Sequence, residues 1–457
     1  MAEVVFQSLL RSGPEIGANS YLLSHSAGRV LLDTGMHPKG RGLDALPDFS
    51  RIDGDSVDAV VVTHAHLDHC GSLPVALRRH ENAHAYLTPL TAELAEAMLH
   101  NSCNVMSMQR ESEGIKEYPL FTHREVDALI RRFLTVEPGR SFELGSSGMR
   151  AEFFDAGHLP GSAGVMLDTG SLRVFYTGDV HFENQTLSQA ARFPETGCDV
   201  LIMECTRGAI ARREGYTREA EAIRLAQKIM QTVERGGSVL MPVFAVGKTQ
   251  EMLLLLHELA RTGQISSRIP IHIGGLSTRM TQIIDRHADN GRRGHKGFRI
   301  LQCLDQLVTA KKGTRDLHCA PGHIYALSSG MMNENTVSND FAFRFIDRRE
   351  NAVCFVGYAD PASPAGALLR AQPGEPIKLH HGHPPVELKS SVDHFDFSGH
   401  ATRDELAAYA VKLRPRKILL VHGDGPALEW MRNTLSAALP ETMVIIPQPG
   451  ERVRLDG

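Results

Sequence analysis

The sequence has no surplus of positive charge. Its 49 lysines and arginines are outnumbered by 53 aspartates and glutamates, so the formal net charge at pH 7 is −4. Proteins that bind nucleic acid through a generally basic surface carry the opposite balance. Aromatic residues make up 6% of the chain, with one tryptophan, so platforms for stacking bases are scarce. Any surface that binds phosphate must therefore be a local cluster of cations.

Long apolar runs and paired cysteines are also missing. No stretch approaches the roughly 20 consecutive apolar residues of a membrane-spanning helix, and the first residues lack the basic-then-apolar pattern of a secretory signal. The seven cysteines are scattered, and no two form a C-x-x-C pair. We therefore expect no disulfide framework, and we predict a cytoplasmic protein that does not bind a membrane.

Short apolar segments recur in the first half of the chain, and each ends in a polar residue or motif. Their length and their content of valine, isoleucine and phenylalanine predict buried strands. Helices are predicted between the second and third of these strands, at 90–104 and 125–133. The predicted strands are 29–33, 58–63, 149–155, 172–179 and 199–204.

Strands and helices alternate after residue 204, which predicts a parallel, doubly wound sheet. Thr217 is expected to cap a helix that runs to about residue 235. Thr402 and Glu405 form a capping box that opens a helix ending before Pro415. The other predicted elements are strands 238–244, 269–273, 323–327, 352–356 and 417–421 and helix 248–261.

The most informative segment is His64-Ala-His66-Leu-Asp68-His69, which directly follows predicted strand 58–63. Neutral imidazole and carboxylate groups suit divalent first-row metals, zinc above all. One ion cannot easily accept four ligands from so short a segment, so the spacing indicates two ions. His64 and His66 would serve one ion, and Asp68 and His69 the other. The alternative is a polar strand–helix turn in which the histidines occur by chance.

Further polar residues end predicted strands in the way that two ions require. His158 follows strand 149–155, Asp179 ends strand 172–179, and His422 follows strand 417–421. A carboxylate such as Asp179 can bridge two cations. Asp33 ends the first predicted strand, and we interpret it as an acceptor that orients a ligand histidine rather than as a ligand.

This ordered series of residues resembles the metallo-β-lactamase superfamily over nearly the whole chain. The resemblance implies an αββα sandwich with the metals at one edge of its two sheets. It implies that His64, His66 and His158 bind one Zn²⁺ and that Asp68, His69 and His422 bind the other. Asp179 would bridge the two ions, so two Zn²⁺ per chain are expected, with Mn²⁺ as the alternative.

Three more features resemble the β-CASP family of nucleases within that superfamily. Glu204 corresponds to acidic motif A, His400 in Phe397-Ser-Gly-His400 to motif B, and His422 to motif C. The fold class is then α/β, a sandwich with an inserted doubly wound β-CASP domain. The implied domains are 1–205 and 395–457 for the two parts of the metallo-β-lactamase domain and 206–394 for the insertion.

The resemblance implies a zinc-dependent ribonuclease that acts on single-stranded RNA, within the chain, from its 5′ end, or both. Two cations would lower the pKa of a shared water, so that hydroxide attacks phosphorus in line. His400 is the candidate general acid, positioned by Glu204, and Asp68 is grouped with them as catalytic.

Several residues are predicted to contact the substrate rather than the metals. Gly161 and Ser162 could donate to a phosphate, and Ser328 and Ser329 belong to a segment similar to one in β-CASP proteins. A groove for RNA between the two domains would be lined by basic residues. These are Lys248, Arg292, Arg293, Lys311 and Lys312.

Two other functions fit parts of the pattern. One is a metallo-hydrolase of a small ester, thioester or nucleotide, against which Glu204, His400 and the inserted domain argue. The other is a non-catalytic binding subunit, which should have lost some of the seven metal donors. Segment 380–383 contains three histidines, but the prolines that follow favour an exposed turn. A homodimer is the default expectation for the oligomeric state.

Overall fold

The computed structural model describes residues 3–54, 56–309 and 317–456. The chain divides into two compact units. The first contains Met1–Asn184, Gln189–Arg212 and His400–Gly457, and the second contains Gln185–Ser188 and Arg213–Gly399. The chain passes between the units after Asn184, Ser188, Arg212 and Gly399. The domain boundaries at 205 and 394 stay a prediction.

The strands of the described residues are short, and seven of them are buried along their whole length. In chain order they are β1 Val5–Ser8, β2 Tyr21–His25, β3 Gly28–Leu32, β4 Ala59–Val61, β5 His84–Leu87, β6 Phe133–Thr135, β7 Ser141–Glu143, β8 Arg150–Asp155, β9 Ala163–Asp168, β10 Arg173–Tyr176, β11 Val200–Glu204, β12 Val239–Pro242, β13 Ile271–Ile273, β14 Leu307–Thr309, β15 Ile324–Leu327, β16 Ala352–Phe355, β17 Pro376–Ile377, β18 Val386–Glu387, β19 Ser391–His394, β20 Lys417–Val421, β21 Met443–Ile445 and β22 Arg452–Arg454.

The helices of the described residues follow the same order. They are α1 Leu67–Cys70, α2 Leu73–Arg79, α3 Pro89–Glu113, α4 His123–Ile130, α5 Arg218–Glu234, α6 Lys248–Arg261, α7 Leu276–Arg286, α8 Ile300–Cys303, α9 Val337–Ala342, α10 Pro364–Arg370, α11 Arg403–Leu413 and α12 Gly425–Ala438.

The first unit contains two seven-stranded sheets. Their strand orders are β22-β1-β2-β3-β4-β5-β6 and β21-β20-β11-β10-β9-β8-β7. In each sheet, parallel pairing in one half gives way to antiparallel pairing in the other. Parallel neighbours end at the same edge of a sheet, so the loops after β10, β11 and β20 lie side by side.

A shared apolar core joins the two sheets of the first unit. It contains side chains from both, including Phe6 and Val61 from the first sheet and Phe153 and Ile202 from the second. A second cluster packs α11 and α12 against the outer face of the second sheet. This layering is the αββα sandwich expected from the sequence.

The second unit is built on a six-stranded sheet in the order β14-β13-β15-β12-β16-β19, and every pairing in it is parallel. Leu240 of β12 packs in a cluster with side chains of α9 and α10. Its neighbours Val239 and Met241 are equally buried, and they point to the opposite face because successive strand residues alternate. Both faces are therefore covered, as in a doubly wound fold.

Helix α3 is longer than the sequence predicted. It was expected to end near residue 104, but it continues to Glu113 and stops at Gly114, whose φ of 72° is left-handed. The polar stretch after residue 104 contains neither glycine nor proline, so nothing in it breaks the helix. None of the helices in the described ranges has the length and apolarity that a bilayer crossing requires.

Phe153 tests the packing between the two sheets. Its fully buried ring lies 5.2 Å from that of Phe142, and truncation would leave a cavity in the shared core. We expect Phe153→Ala to lower the melting temperature by roughly 10 °C, since such truncations cost about 3–5 kcal/mol. Leu134→Ala, at a side chain that is 40% exposed, is the control in calorimetry. Equal melting temperatures for the two variants would contradict this account of the core.

Candidate metal centre

The segment after β4 supplies donors in two directions. His66 is the N-cap of α1, with φ −71° and ψ 146°. The rings of His64 and His66 lie close together, with centroids 4.9 Å apart. Asp68 and His69 lie within the helical turn and point elsewhere. The change from strand to helix thus separates the motif into two pairs of donors.

One set of donors comprises three imidazoles and a carboxylate. The Nδ1 atom of His66 lies 3.2 Å from Nε2 of His64 and 3.2 Å from Nε2 of His158. Asp179 Oδ2 lies 3.4 Å from His64 Nε2 and 3.6 Å from His158 Nε2. A tetrahedral Zn²⁺ with bonds of about 2.0–2.1 Å needs donors about 3.3 Å apart. The spacing therefore fits one such ion.

A second set lies beside the first and uses the other oxygen of Asp179. His422 Nε2 is 3.3 Å from Asp68 Oδ2, and His69 Nε2 is 3.8 Å from the same oxygen. Asp179 Oδ1 lies 3.4 Å from His69 Nε2 and 3.2 Å from His422 Nδ1. Asp179 therefore presents one oxygen to each set, as a bridging carboxylate does.

The environment of Asp179 shows that divalent cations fit these donors. Its side chain is 2% exposed. Within the described part of the chain, Oδ1 has no hydrogen-bond partner although two imidazole nitrogens are close to it. A buried carboxylate oxygen without a partner is costly, and a cation at this position would satisfy it. Imidazole and carboxylate donors suit zinc and, less strongly, manganese.

For His64, His66 and Asp179, the electrostatics favour the protonation states that metal ligands need. Burial, reinforced by the charge on His69, holds the pKa of His64 well below 6.5. Burial also lowers the pKa of His66. For Asp179, burial alone would raise the pKa, but His422 and His69 hold it well below 3.8. Neutral imidazoles and an ionised carboxylate are the forms that bind cations. For His69, burial alone would lower the pKa, but Asp179 and Asp33 raise it well above 6.5, so a cation must displace a proton there.

Asp33 orients two of the histidines. This buried residue has a left-handed φ of 58°, and its Oδ2 accepts hydrogen bonds from His69 Nδ1 and Tyr176 OH, both at 2.8 Å. Its Oδ1 accepts from the backbone N–H of Thr63 at 2.8 Å, and Thr63 Oγ1 lies 3.1 Å from His64 Nδ1. With their Nδ1 atoms engaged, both histidines direct Nε2 toward the donor sets.

Sequence reasoning missed three supporting residues. They are Thr63, Tyr176 and Thr206, whose Oγ1 lies 2.9 Å from His422 Nδ1. Thr63 precedes the histidine motif and Thr206 follows Glu204 by two positions, so each is close to a recognised motif. Their positions gave no sign that Asp33 and His422 are their partners, because Asp33 and His422 follow other strands.

Gly178 is required by the turn that carries Asp179. Its φ is 52°, and a Cβ atom there would lie 2.8 Å from the Cβ of Thr63. Glycine is therefore the residue that allows the chain to pass Thr63 and direct Asp179 between the two donor sets.

Glu204 and His400 form a pair next to the donors. Glu204 ends β11 opposite Val421 of β20, so it lies beside His422. The Nδ1 atom of His400 lies 3.2 and 3.1 Å from the two carboxylate oxygens of Glu204 and 4.0 Å from Asp179 Oδ2. Burial alone would lower the pKa of His400, but Glu204 and Asp179 raise it above 6.5. The imidazole is therefore stabilised in its protonated form.

Comparison with known proteins identifies the family. The metallo-β-lactamase superfamily matches residues 13–206, and the β-CASP domain matches residues 249–368. A third family, described as a Zn-dependent metallo-hydrolase RNA specificity domain, matches residues 385–447. The chain belongs to the β-CASP family of the metallo-β-lactamase superfamily. The family, the fold and the class of metallo-hydrolase predicted from the sequence are thereby confirmed.

Curated β-CASP relatives match almost the whole chain. The cleavage and polyadenylation specificity factor subunit 3 of Dictyostelium discoideum is 26% identical over 97% of this chain. The specificity factor 73 of Drosophila melanogaster is 27% identical over 93%, and the endoribonuclease YSH1 of Saccharomyces cerevisiae is 26% identical over 92%. The chain spans only 56%, 61% and 55% of these relatives, respectively.

A solved structure supports the fold. A protein of unknown function from Enterococcus faecalis V583 matches 99% of this chain and 100% of its own length, with a TM-score of 0.59 and 12% identity. At this identity the likeness concerns the β-CASP fold alone.

Ser162 and Gly161 were predicted to contact a phosphate, and both take part in the turn that follows His158. The Ser162 hydroxyl donates to the carbonyl of Leu159 at 2.8 Å inside a buried turn, so the prediction that it serves a phosphate is wrong. The carbonyl of Gly161 accepts hydrogen bonds from Thr88 and Thr91, which fixes the turn that follows His158. The N–H of Gly161 as a phosphate donor stays a prediction.

The predicted basic residues differ in their roles. Arg293 is buried and donates to the carbonyls of Ile284 at 2.9 Å and Phe298 at 3.0 Å, so its assignment to an RNA groove is wrong. Lys248 begins α6, and its Nζ donates to the carbonyl of Phe397. Arg292 is half-buried, and Lys311 and Lys312 lie outside the described residues.

The remaining predicted positions lie in the second unit. Ser328 and Ser329 follow β15, and their carbonyls accept hydrogen bonds from Ser338; a role in binding substrate stays a prediction. Segment 380–383 forms an exposed turn, as expected, with the side chain of His381 92% exposed.

Asp33 provides a test of how the site is positioned. Asp33→Asn keeps the size of the side chain but removes the carboxylate that accepts from His69. We expect the affinity for zinc to fall by about 10- to 100-fold, because loss of such orienting partners weakens metal sites to this extent. Titration of the zinc-loaded protein with a chromophoric chelator measures this affinity for zinc.

The control for this test is Asp168→Asn, at an exposed carboxylate whose hydrogen bond is to the backbone of Gly170. It should bind zinc like the unaltered chain. Equal zinc affinity for Asp33→Asn would show that Asp33 does not orient a ligand.

Proposed function

We propose that this chain is a zinc-dependent ribonuclease that cleaves phosphodiester bonds of single-stranded RNA. The observation that carries the proposal is the sharing of Asp179 by two donor sets, beside the Glu204–His400 pair. The first set is adapted to one cation and the second to another. An acid–base pair next to such a centre suits hydrolysis of a phosphodiester, in which a leaving oxygen needs a proton.

The proposed ligands divide as the distances suggest. One Zn²⁺ would be held by His64, His66 and His158. The other would be held by Asp68, His69 and His422. Asp179 would bind both ions. Two cations held by these residues would lower the pKa of a bound water and offset the charge on the phosphoryl oxygens. Mn²⁺ could replace Zn²⁺ because the donors are nitrogen and oxygen only. Asp33 would keep the ligand histidines oriented throughout the reaction.

His400 is the proposed general acid. Since Nδ1 is bound to Glu204, Nε2 is the nitrogen that can deliver a proton to the leaving 3′-oxygen. Glu204 also accepts from the backbone N–H of Val180 at 2.7 Å, so its orientation is fixed on two sides. Cleavage of the P–O3′ bond then yields a 5′-phosphate and a 3′-hydroxyl. The bond formed is between phosphorus and the oxygen of water, whose proton is lost to solvent.

Two findings support RNA as the substrate. The relatives include proteins named endoribonucleases, and the family matched at residues 385–447 is described by its RNA specificity. These relatives are longer than this chain, so their activity is transferred here as a proposal.

All seven cysteines are free thiols, which suits the proposed cytoplasmic location. The homodimer remains a prediction.

The proposed activity is tested with end-labelled single-stranded RNA, single-stranded DNA and duplex RNA, incubated with the zinc-loaded protein. We expect cleavage of the single-stranded RNA, with 5′-phosphate ends, and its loss when a chelator removes the metals. Restoring Zn²⁺ or Mn²⁺ should restore cleavage. Intact RNA together with metal-dependent hydrolysis of a dye ester would favour the small-substrate hydrolase instead.

His400→Ala tests the general acid separately from metal binding. We expect turnover to fall by about 10²- to 10⁴-fold, the usual contribution of a positioned acid. Elemental analysis should still find two zinc ions per chain. His84→Ala, at an exposed histidine of β5, is the matched control and should leave turnover unchanged. Loss of zinc from His400→Ala would make His400 a ligand and overturn its assigned role.

A further inference from the structure

An arginine and the single tryptophan of the chain form a pair on the first unit. Arg403 is the first residue of α11, and Trp430 lies in α12. The guanidinium carbon of Arg403 lies 4.3 Å from the centroid of the Trp430 ring. At this distance the ring attracts the cation and holds the guanidinium plane in a defined orientation.

The guanidinium of Arg403 has no acceptor in the described part of the chain. Among the described residues it donates no hydrogen bond and forms no ion pair, and its Nε atom is buried without a partner. By contrast, Arg416 pairs with Asp199 at 2.9 Å and Lys412 with Glu195 at 2.7 Å. A guanidinium held by an aromatic ring but lacking an acceptor is prepared for an anion.

The stability of α11 does not explain an arginine at this position. The N-terminus of a helix carries a partial positive charge, which disfavours a cation in the first turn. The helix end is already capped, because Glu405 accepts from the backbone N–H of Thr402 at 2.8 Å and Thr402 accepts from that of Glu405. Arg403 thus sits where helix stability would favour an acidic residue.

The pair lies close to the proposed site of cleavage. Arg403 follows His400 by three residues, so the two Cα atoms are at most about 11 Å apart. Helix α12 starts three residues after His422, and Trp430 lies about 7.5 Å along it from Gly425. A strand of RNA whose scissile phosphate lies at the metal centre would have neighbouring phosphates within reach of Arg403.

We propose that Arg403 and Trp430 form a subsite for single-stranded RNA outside the metal centre. Arg403 donates paired N–H groups to a backbone phosphate, and the indole ring keeps the guanidinium in place. The planar fork of arginine matches phosphate better than lysine does, and its immobilisation reduces the entropy lost on binding. This subsite rests on the proposed ribonuclease function and adds a specific contact to it.

The single tryptophan provides a direct readout. The zinc-loaded His400→Ala protein, in which cleavage is expected to be slow, is titrated with a short oligouridylate while tryptophan emission is recorded. A phosphate bound beside the indole should change the emission in step with binding. Arg403→Gln in the same background should weaken binding by about tenfold. The logarithm of the binding constant falls as the logarithm of the salt concentration rises. Arg403→Gln should make this slope shallower by about 0.7, the value for one phosphate contact on a single strand.

Two further variants separate binding from folding. Arg403→Lys keeps the charge over the ring but lacks the fork, so we expect weaker binding with an unchanged melting temperature. Arg432→Gln is the matched control, because Arg432 lies on α12 but is paired with Glu429. It should bind oligouridylate like the unaltered background.

The outcomes distinguish this subsite from the proposed function. If Arg403→Gln and Arg403→Lys bind oligouridylate as tightly as the background, with the same change in emission, the pair serves only to join α11 and α12. The subsite is then overturned, while cleavage of RNA by the unaltered chain would still support the ribonuclease. If the unaltered chain neither binds nor cleaves RNA, both proposals fail together.

Discussion

Asp179 presents one carboxylate oxygen to each of two neighbouring sets of imidazole nitrogens. The carboxylate is buried, and it stays ionised because His422 and His69 offset the cost of burial. Without Asp179, each donor set has three members. Two of them come from the motif at residues 64–69, and the third, His158 or His422, follows a distant strand. The position of Asp179 depends in turn on Gly178, because a side chain there would collide with Thr63.

The two-sheet sandwich brings these distant residues together. Parallel neighbours end at one edge, so the loops after β10, β11 and β20 place Asp179, Glu204 and His422 side by side. The first sheet contributes the histidine motif after β4, and Asp33 after β3 binds both Thr63 and His69. The apolar core between the sheets therefore determines the separation of donors that come from opposite sheets. A rigid scaffold of this kind keeps the ligands in place with little reorganisation when a cation binds.

Local patterns predicted much of this arrangement, and tertiary contacts explain what they missed. The bounds of α6 and β20 agree with the sequence prediction because a glycine or proline flanks each apolar pattern. The histidine motif was recognisable because its donors are adjacent in the chain. The roles of Ser162 and Arg293 were wrong because a side chain can turn inward to a carbonyl that no local pattern reveals. The hydrogen bond between Tyr176 and Asp33 joins the two sheets and could not be read from either strand alone.

The central claim is that two cations share Asp179, and anomalous X-ray diffraction at the zinc absorption edge tests it most directly. Crystals of the zinc-loaded protein should give two peaks, one among His64, His66 and His158 and one among Asp68, His69 and His422. Both peaks should lie within bonding distance of an oxygen of Asp179. A single peak, or two peaks with Asp179 bound to neither, would contradict the account.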